Sequence, residues 1–167
     1  MPKRLYLMRH AKSSWKEPLP DPQRPLNRRG KRAAKRIGEA LRARGVTFDR
    51  ILSSDARRAR STAKRVRKAL GAPREILQLA PELYDADASA LLRYLRTLDD
   101  RWNDLLVVAH NPGISELAVA LSGDESFAWL PTAAVVGLAF EIEHWSELAN
   151  GKGKVVLVLK PRDLAEE

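Results

Sequence analysis

Short apolar runs alternate along this chain with amphipathic stretches of helical period, and that alternation restricts the fold more than any other feature. Lys3 to Met8, Phe48 to Leu52, Ile76 to Leu79 and Leu105 to Ala109 have the length and content of buried strands. Between them, Ala34, Ile37 and Leu41 recur at helical spacing, as do Ala56, Ala59, Ala63, Val66 and Leu70. Asn27 is expected to cap the first of these helices, which runs to about Arg44 before Gly45. Gly71-Ala72-Pro73 is expected to stop the second. Ser89 is the expected cap of a third, carrying Leu91, Leu95, Leu98 and Trp102 on one face, and a short fourth covers about Ile114 to Leu121. Two late runs, near Val135 to Ile142 and Val155 to Leu159, are joined only by a polar connection through Asn150-Gly151-Lys152-Gly153, so they should pair antiparallel. Strands alternating with helices need a sheet covered on both faces. The expected fold is thus a three-layer α/β/α sandwich, its central sheet mostly parallel with an antiparallel edge strand.

A chain of 167 residues is sized for a single domain over residues 1–167, and no linker, repeat or low-complexity segment divides it. It has no cysteine, which removes disulfides, thiolate chemistry and cysteine-ligated metals and fits a reducing compartment. The opening MPKRLYLMRH lacks a long apolar core or a cleavage site, and no run reaches ~18 apolar residues. No membrane association is expected, and the expected location is cytoplasmic. Lys and Arg number 30 against 21 Asp and Glu, a net +9, which concentrates anionic partners such as phosphate esters, acidic proteins or nucleic acid. Much of that charge lies between Arg24 and Arg74 on the first two helices, where plain solvation explains it as readily. A basic nucleic-acid-binding module is the rival of another class. Interleaved aromatics and the nucleic-acid-binding signatures are missing, so no nucleic-acid partner is expected.

Three strand ends carry the chemistry. Arg9-His10 follows the first, Ser53-Ser54 and then Arg57-Arg58 follow the second, and His110-Asn111-Pro112-Gly113 follows a later one. Ligands of open α/β sheets bind outside the carboxyl ends of the strands, so these residues are expected on one rim. Any one of them alone reads as a polar residue leaving a strand; together they do not. His144 reads as a surface histidine, and His10, His110 and His144 lack metal-ligand spacing. The Gly-Lys pairs at Gly30-Lys31 and Gly151-Lys152 lack the phosphate-loop frame. Ser13 and Ser14 are candidates to line a phosphate pocket, although ordinary loop serines explain them equally well. Trp15, Tyr84 and Trp129 could wall a pocket, with core packing preferred for each.

Taken in order, LYLMRHAKSSW with DPQRPLNRRG, SSDARRARSTA and VVAHNPG resemble the histidine phosphatase superfamily, and within it the short phosphohistidine phosphatases of the SixA type. The resemblance implies a phosphoglycerate mutase-like fold and a phosphatase needing neither cofactor nor metal. It implies His10 as nucleophile beside Arg9, His110 as the second histidine, and Arg58 as the arginine of the Ser-x-x-x-Arg-Ala-x-x-Thr pattern, read as Ser54, Arg58, Ala59 and Thr62. The adjacent Arg57 leaves the frame open by one residue. Such a set suits phosphoryl transfer. Guanidinium forks match the equatorial oxygens, and cationic neighbours keep a histidine nucleophile neutral. Relatives that cleave alkyl phosphates carry a glutamate after the third strand. Here Asp85 falls nearest, with Glu82 and Asp87 competing, and each also reads as a solvated or capping carboxylate. The expected substrate is phosphohistidine in a protein; the alternative is a small phosphate monoester.

Overall fold

The computed structural model describes residues 2–164, and in it six strands form one sheet. They are β1 (Lys3–Arg9), β2 (Arg50–Ser53), β3 (Leu77–Leu79), β4 (Asp104–Ala109), β5 (Val135–Phe140) and β6 (Lys154–Leu159), in the spatial order β3-β2-β4-β1-β5-β6. β1 to β4 are mutually parallel, and β5 runs antiparallel to both β1 and β6. The reversed strand is therefore one in from the edge, with β6 outside it. The antiparallel pair expected at one margin is present, and the mixed α/β sandwich is the fold.

Strand alternation decides what covers each face. Along β1, Leu5 and Leu7 point to one side and Tyr6 and Met8 to the other. Tyr6 and Met8 meet α1 (Arg28–Ala43) and α2 (Arg57–Leu70) through Ala34, Ile37, Leu41, Ala59, Ala63 and Val66. Leu5 and Leu7 meet α3 (Ala88–Leu95) and α4 (Gly113–Ser122) through Leu91, Leu95, Ile114, Leu117 and Leu121. Each fully buried leucine or isoleucine contributes roughly 1.5–3 kcal/mol, and both layers are built from such residues.

Caps set the helix limits. The Asn27 side chain accepts from Gly30 N at 2.8 Å, and Gly71 takes the left-handed conformation, φ 72°, that ends α2. α3 corrects two expectations. Its cap is Asp87, whose carboxylate accepts from Ala90 N at 2.8 Å, and not Ser89. It also stops at Leu95, where the Thr97 hydroxyl donates to Tyr94 O at 2.7 Å, so Leu98 and Trp102 pack from the following turns. Lys3 is buried at the other end of the sheet. Its ammonium donates to Asp100 O, Trp102 O and Asn103 Oδ1 at 2.8–3.1 Å, which satisfies the three donors it has.

Candidate active site

The parallel register brings the three polar strand ends together. Arg9 pairs with Ala109, so His10 and His110 leave neighbouring strands side by side, their ring centroids 5.2 Å apart. Ser53 pairs with Val108, and Ser54 N donates to Val108 O at 3.0 Å, which sets Ser54 beside His110. His10 N extends the ladder by donating to Ala109 O at 3.1 Å. Ala133, at φ 64°, shares its N–H between Arg9 O and His10 O, both at 3.1 Å, and fixes the end of β1.

His10 is 7% exposed, and its Nδ1 lies 2.7 Å from Ala11 O. A carbonyl can only accept, so Nδ1 carries the proton and Nε2 keeps its lone pair. Burial is the main force pulling the ring down to about pKa 3, with His110, Arg58 and Arg9 adding to it against the opposing Ala11 carbonyl. His110 is pulled to about 4, again by burial first and then by Arg58. Its Nε2 meets Ser54 Oγ at 2.8 Å, and Ser54 Oγ also accepts from Ala56 N at 3.2 Å.

Arg9 donates from Nη1 to Leu130 O at 3.0 Å and lies over the Trp129 ring at 5.4 Å. Arg58 is buried in the first turn of α2 while Arg57 is exposed. Thr62 ties that helix to the first strand end, accepting from Ala11 N at 2.9 Å and donating to Arg58 O at 2.7 Å. Arg9 Nε, Arg58 Nε and His110 Nδ1 are buried without a hydrogen-bond partner among the described residues. Arg50 Nε and Arg65 Nε share that state elsewhere. Leaving a buried polar nitrogen unpaired costs about 1–3 kcal/mol, so three of them around one histidine mark a site shaped for acceptor oxygens.

The loop between β1 and α1 folds over these groups. Asp21 accepts from Arg58 Nη2 at 3.0 Å, Arg24 Nε at 3.3 Å and the Tyr84 hydroxyl at 2.5 Å, and its carbonyl accepts from Arg58 Nη1 at 2.8 Å. The Tyr84 hydroxyl, followed by Arg58 and Arg24, holds the Asp21 carboxyl down at about 2. Sequence reasoning missed Asp21 and Arg24, although both sit in the DPQRP segment of a proline-rich loop directly after the histidine.

The other candidates are scattered. Ser13 Oγ accepts from Arg24 Nη1 at 2.9 Å and so buttresses the arginine, whereas Ser14 Oγ accepts from Lys16 N at 3.2 Å within its own loop. Glu82 and Asp85 are exposed, and neither side chain makes a hydrogen bond among the described residues. Asp87 is spent on the α3 cap. The expectation of core packing for three aromatics fails. Trp15 and Trp129 are 76% and 63% exposed, and the Tyr84 ring meets His110 edge-on at 5.5 Å. Each stacks on, or bonds to, polar groups of the site, which a core position could not supply. His144 is an exposed histidine paired with Asp100 at 3.0 Å. Among the described residues no group of His, Asp and Glu could hold a metal ion, and no helix is long and apolar enough to cross a membrane.

His10, His110 and Arg9 meet beyond the carboxyl ends of parallel strands, with Arg58 reaching them from the first turn of α2. The family model of the histidine phosphatase superfamily (branch 1) matches residues 5–90. An uncharacterised Mycobacterium tuberculosis protein, Rv1276c, is 33% identical over 93% of this chain and 100% of its own length. Among solved structures, a candidate phosphohistidine phosphatase SixA from Nakamurella multipartitia superposes with a TM-score of 0.83 at 26% identity, covering 96% of this chain and 97% of the other. The corresponding Agrobacterium tumefaciens structure gives 0.82 at 26% identity, over 96% and 99%. A candidate alpha-ribazole-5'-P phosphatase from Escherichia coli gives 0.69 at 19% identity, over 96% and 98%, a likeness of fold. The chain belongs to the histidine phosphatase superfamily, and it is a hydrolase of the histidine-phosphatase type.

Proposed function

We propose that this phosphatase works by a two-step route with His10 as nucleophile, and that its substrate is phosphohistidine in a protein. The observation that carries the reading is the state of His10. Its Nδ1–H is committed to Ala11 O and burial keeps the ring neutral, so Nε2 offers a lone pair among nitrogens without partners.

In the first step Nε2 forms a bond to phosphorus while the bond to the leaving atom breaks, its electron pair departing with that atom. Arg9, Arg58 and His110 are assigned to the equatorial oxygens, where charge is greatest in the transition state. For His110 to donate from Nδ1, its Nε2 must accept from the Ser54 hydroxyl. That polarity is compatible with Ser54 Oγ accepting from Ala56 N, and it makes Ser54 a positioning residue. In the second step water attacks phosphorus, the pair returns to Nε2, and the water proton passes to solvent or phosphate. The arginines supply positive charge throughout, so the route is written without a metal ion.

The choice of substrate rests on the leaving group. A leaving imidazole can depart protonated, whereas an alkoxide needs a positioned acid, and Glu82 and Asp85 are exposed with no side-chain hydrogen bond to hold either in place among the described residues. Exposed Trp15 and Trp129, each against an arginine of the site region, also offer a broad aromatic margin to a macromolecule. The test compares turnover of a phosphohistidine protein, a phosphohistidine peptide and a panel of phosphate monoesters. The phosphohistidine protein should lead. A monoester turned over faster would make the chain a small-molecule phosphatase.

A further inference from the structure

The two helical layers of the sandwich differ sharply in charge. α1 and α2 together carry 14 Lys and Arg against one acidic residue, Glu39, while the other 137 residues carry 16 against 20. One cationic layer thus outweighs a mildly anionic remainder. The opposite layer, α3 and α4, holds one basic residue, Arg93, and one acidic residue, Glu116.

Helix stability does not account for this. Neither α1 nor α2 has an acidic residue in its first turn, and both begin with an Arg-Arg pair, against the preference of the helix dipole. Lys31, Arg32, Lys35, Lys64 and Lys68 are exposed and form no ion pair among the described residues. The layer also reaches the site. Asn27 N donates to Lys12 O at 2.9 Å, a Cβ on Gly30 would lie 2.1 Å from that same carbonyl, and Arg58 opens α2 inside the site.

We propose that the α1–α2 face docks an acidic surface of the phosphohistidine-bearing protein, presenting the phosphoimidazole to His10. The inference rests on the substrate class proposed above. An acidic protein fits better than single-stranded nucleic acid, because α1 and α2 contain no aromatic residue on which bases could stack. Continuity with the site gives the charge a place in turnover, since steering by complementary fields acts on encounter.

The test uses two synthetic phosphohistidine peptides of one length, flanked by Asp/Glu or by Lys. At about 0.1 M salt the wild type should favour the acidic peptide about tenfold in kcat/KM, mainly through KM. The preference should shrink towards parity at about 1 M, where the Debye length falls from about 10 Å to about 3 Å. The variant Arg32→Glu/Lys35→Glu/Lys64→Glu/Lys68→Glu should lose the preference yet hydrolyse phosphoramidate, which is too small to reach these positions, at the wild-type rate. Should that variant misfold, the wild-type salt comparison still decides. Equal kcat/KM for both peptides would overturn the docking surface and leave the substrate class standing. Salt-sensitive binding of duplex DNA without peptide discrimination would overturn it in favour of nucleic acid. No turnover of either peptide or of phosphoramidate would remove the substrate class and this inference together.

Discussion

Asp21 holds both terminal nitrogens of Arg58, its carbonyl accepting from Nη1 at 2.8 Å and its carboxylate from Nη2 at 3.0 Å. By the proposed route, a phosphoryl group presented to His10 would meet the same guanidinium. With its carboxyl at about 2, Asp21 is a full anion at working pH and competes with that group for Arg58. Asp21→Asn should therefore tighten inhibition by inorganic phosphate roughly three- to tenfold, the scale of removing one partly solvated charge at contact distance. Weaker inhibition would mean that Asp21 chiefly orients Arg58.

Arg58→Lys should be far from conservative. An ammonium on a flexible stem cannot reproduce a planar fork, and loss of one preorganised donor costs roughly a hundred- to a thousandfold in turnover. Arg57 is exposed, so Arg57→Lys should keep near wild-type rates. The reverse pattern in steady-state kinetics would contradict the assignment.

The carboxylates after β3 separate the two substrate readings. Asp85→Asn and Glu82→Gln should scarcely change phosphohistidine turnover, because a protonated imidazole leaves without a positioned acid and both side chains are exposed. General acid catalysis of an alkyl ester is typically worth ~10²–10⁴-fold, so any such activity should suffer if either is its acid. Asp85 sits at φ 57°, a left-handed conformation that Asn also tolerates, so the amide variant should fold. Equal damage to both substrates would mean that the leaving group does not decide the need for an acid.

The site's strand-end residues were legible because period-two and period-3.6 patterns fix strand ends, and parallel register then carries the residues just beyond those ends to one rim. His10, His110 and Arg58 come together for that reason, although 100 residues separate the histidines. The loop over the site was not legible. Asp21, Arg24 and Tyr84 meet through side-chain hydrogen bonds spanning 63 residues between Asp21 and Tyr84, and no periodicity records such a contact. Trp15 and Trp129 misled for a related reason. Hydrophobic content suggested a core position, but a guanidinium stacks on each ring outside the core, at 3.5 Å for Arg24 on Trp15. The cap of α3 failed by two residues because Asp87 and Ser89 are both competent caps.

Both histidines should make the fold acid-sensitive. Folded, His10 and His110 are held neutral down to about 3 and about 4, against an ordinary value of 6.5. The unfolded chain therefore binds more protons below about pH 6.5, and stability present at neutral pH is lost as pH falls from there towards 4 and then 3. Asp21, held at about 2 against an ordinary 3.8, adds its own loss only below that ordinary value. The urea midpoint of the wild type should drop more between pH 7 and pH 4.5 than that of His10→Asn/His110→Asn. An equal drop would show that burial does not hold the rings neutral.

The nucleophile itself is tested most directly by rapid acid-free quench with a phosphoryl-labelled substrate. A neutral His10 with Nδ1 bound to Ala11 O and Nε2 free should take up the label as a phosphohistidine, stable in base and labile in acid. The expected result is label on the wild-type chain and none on His10→Ala. Equal labelling of the two proteins would contradict His10 as the nucleophile.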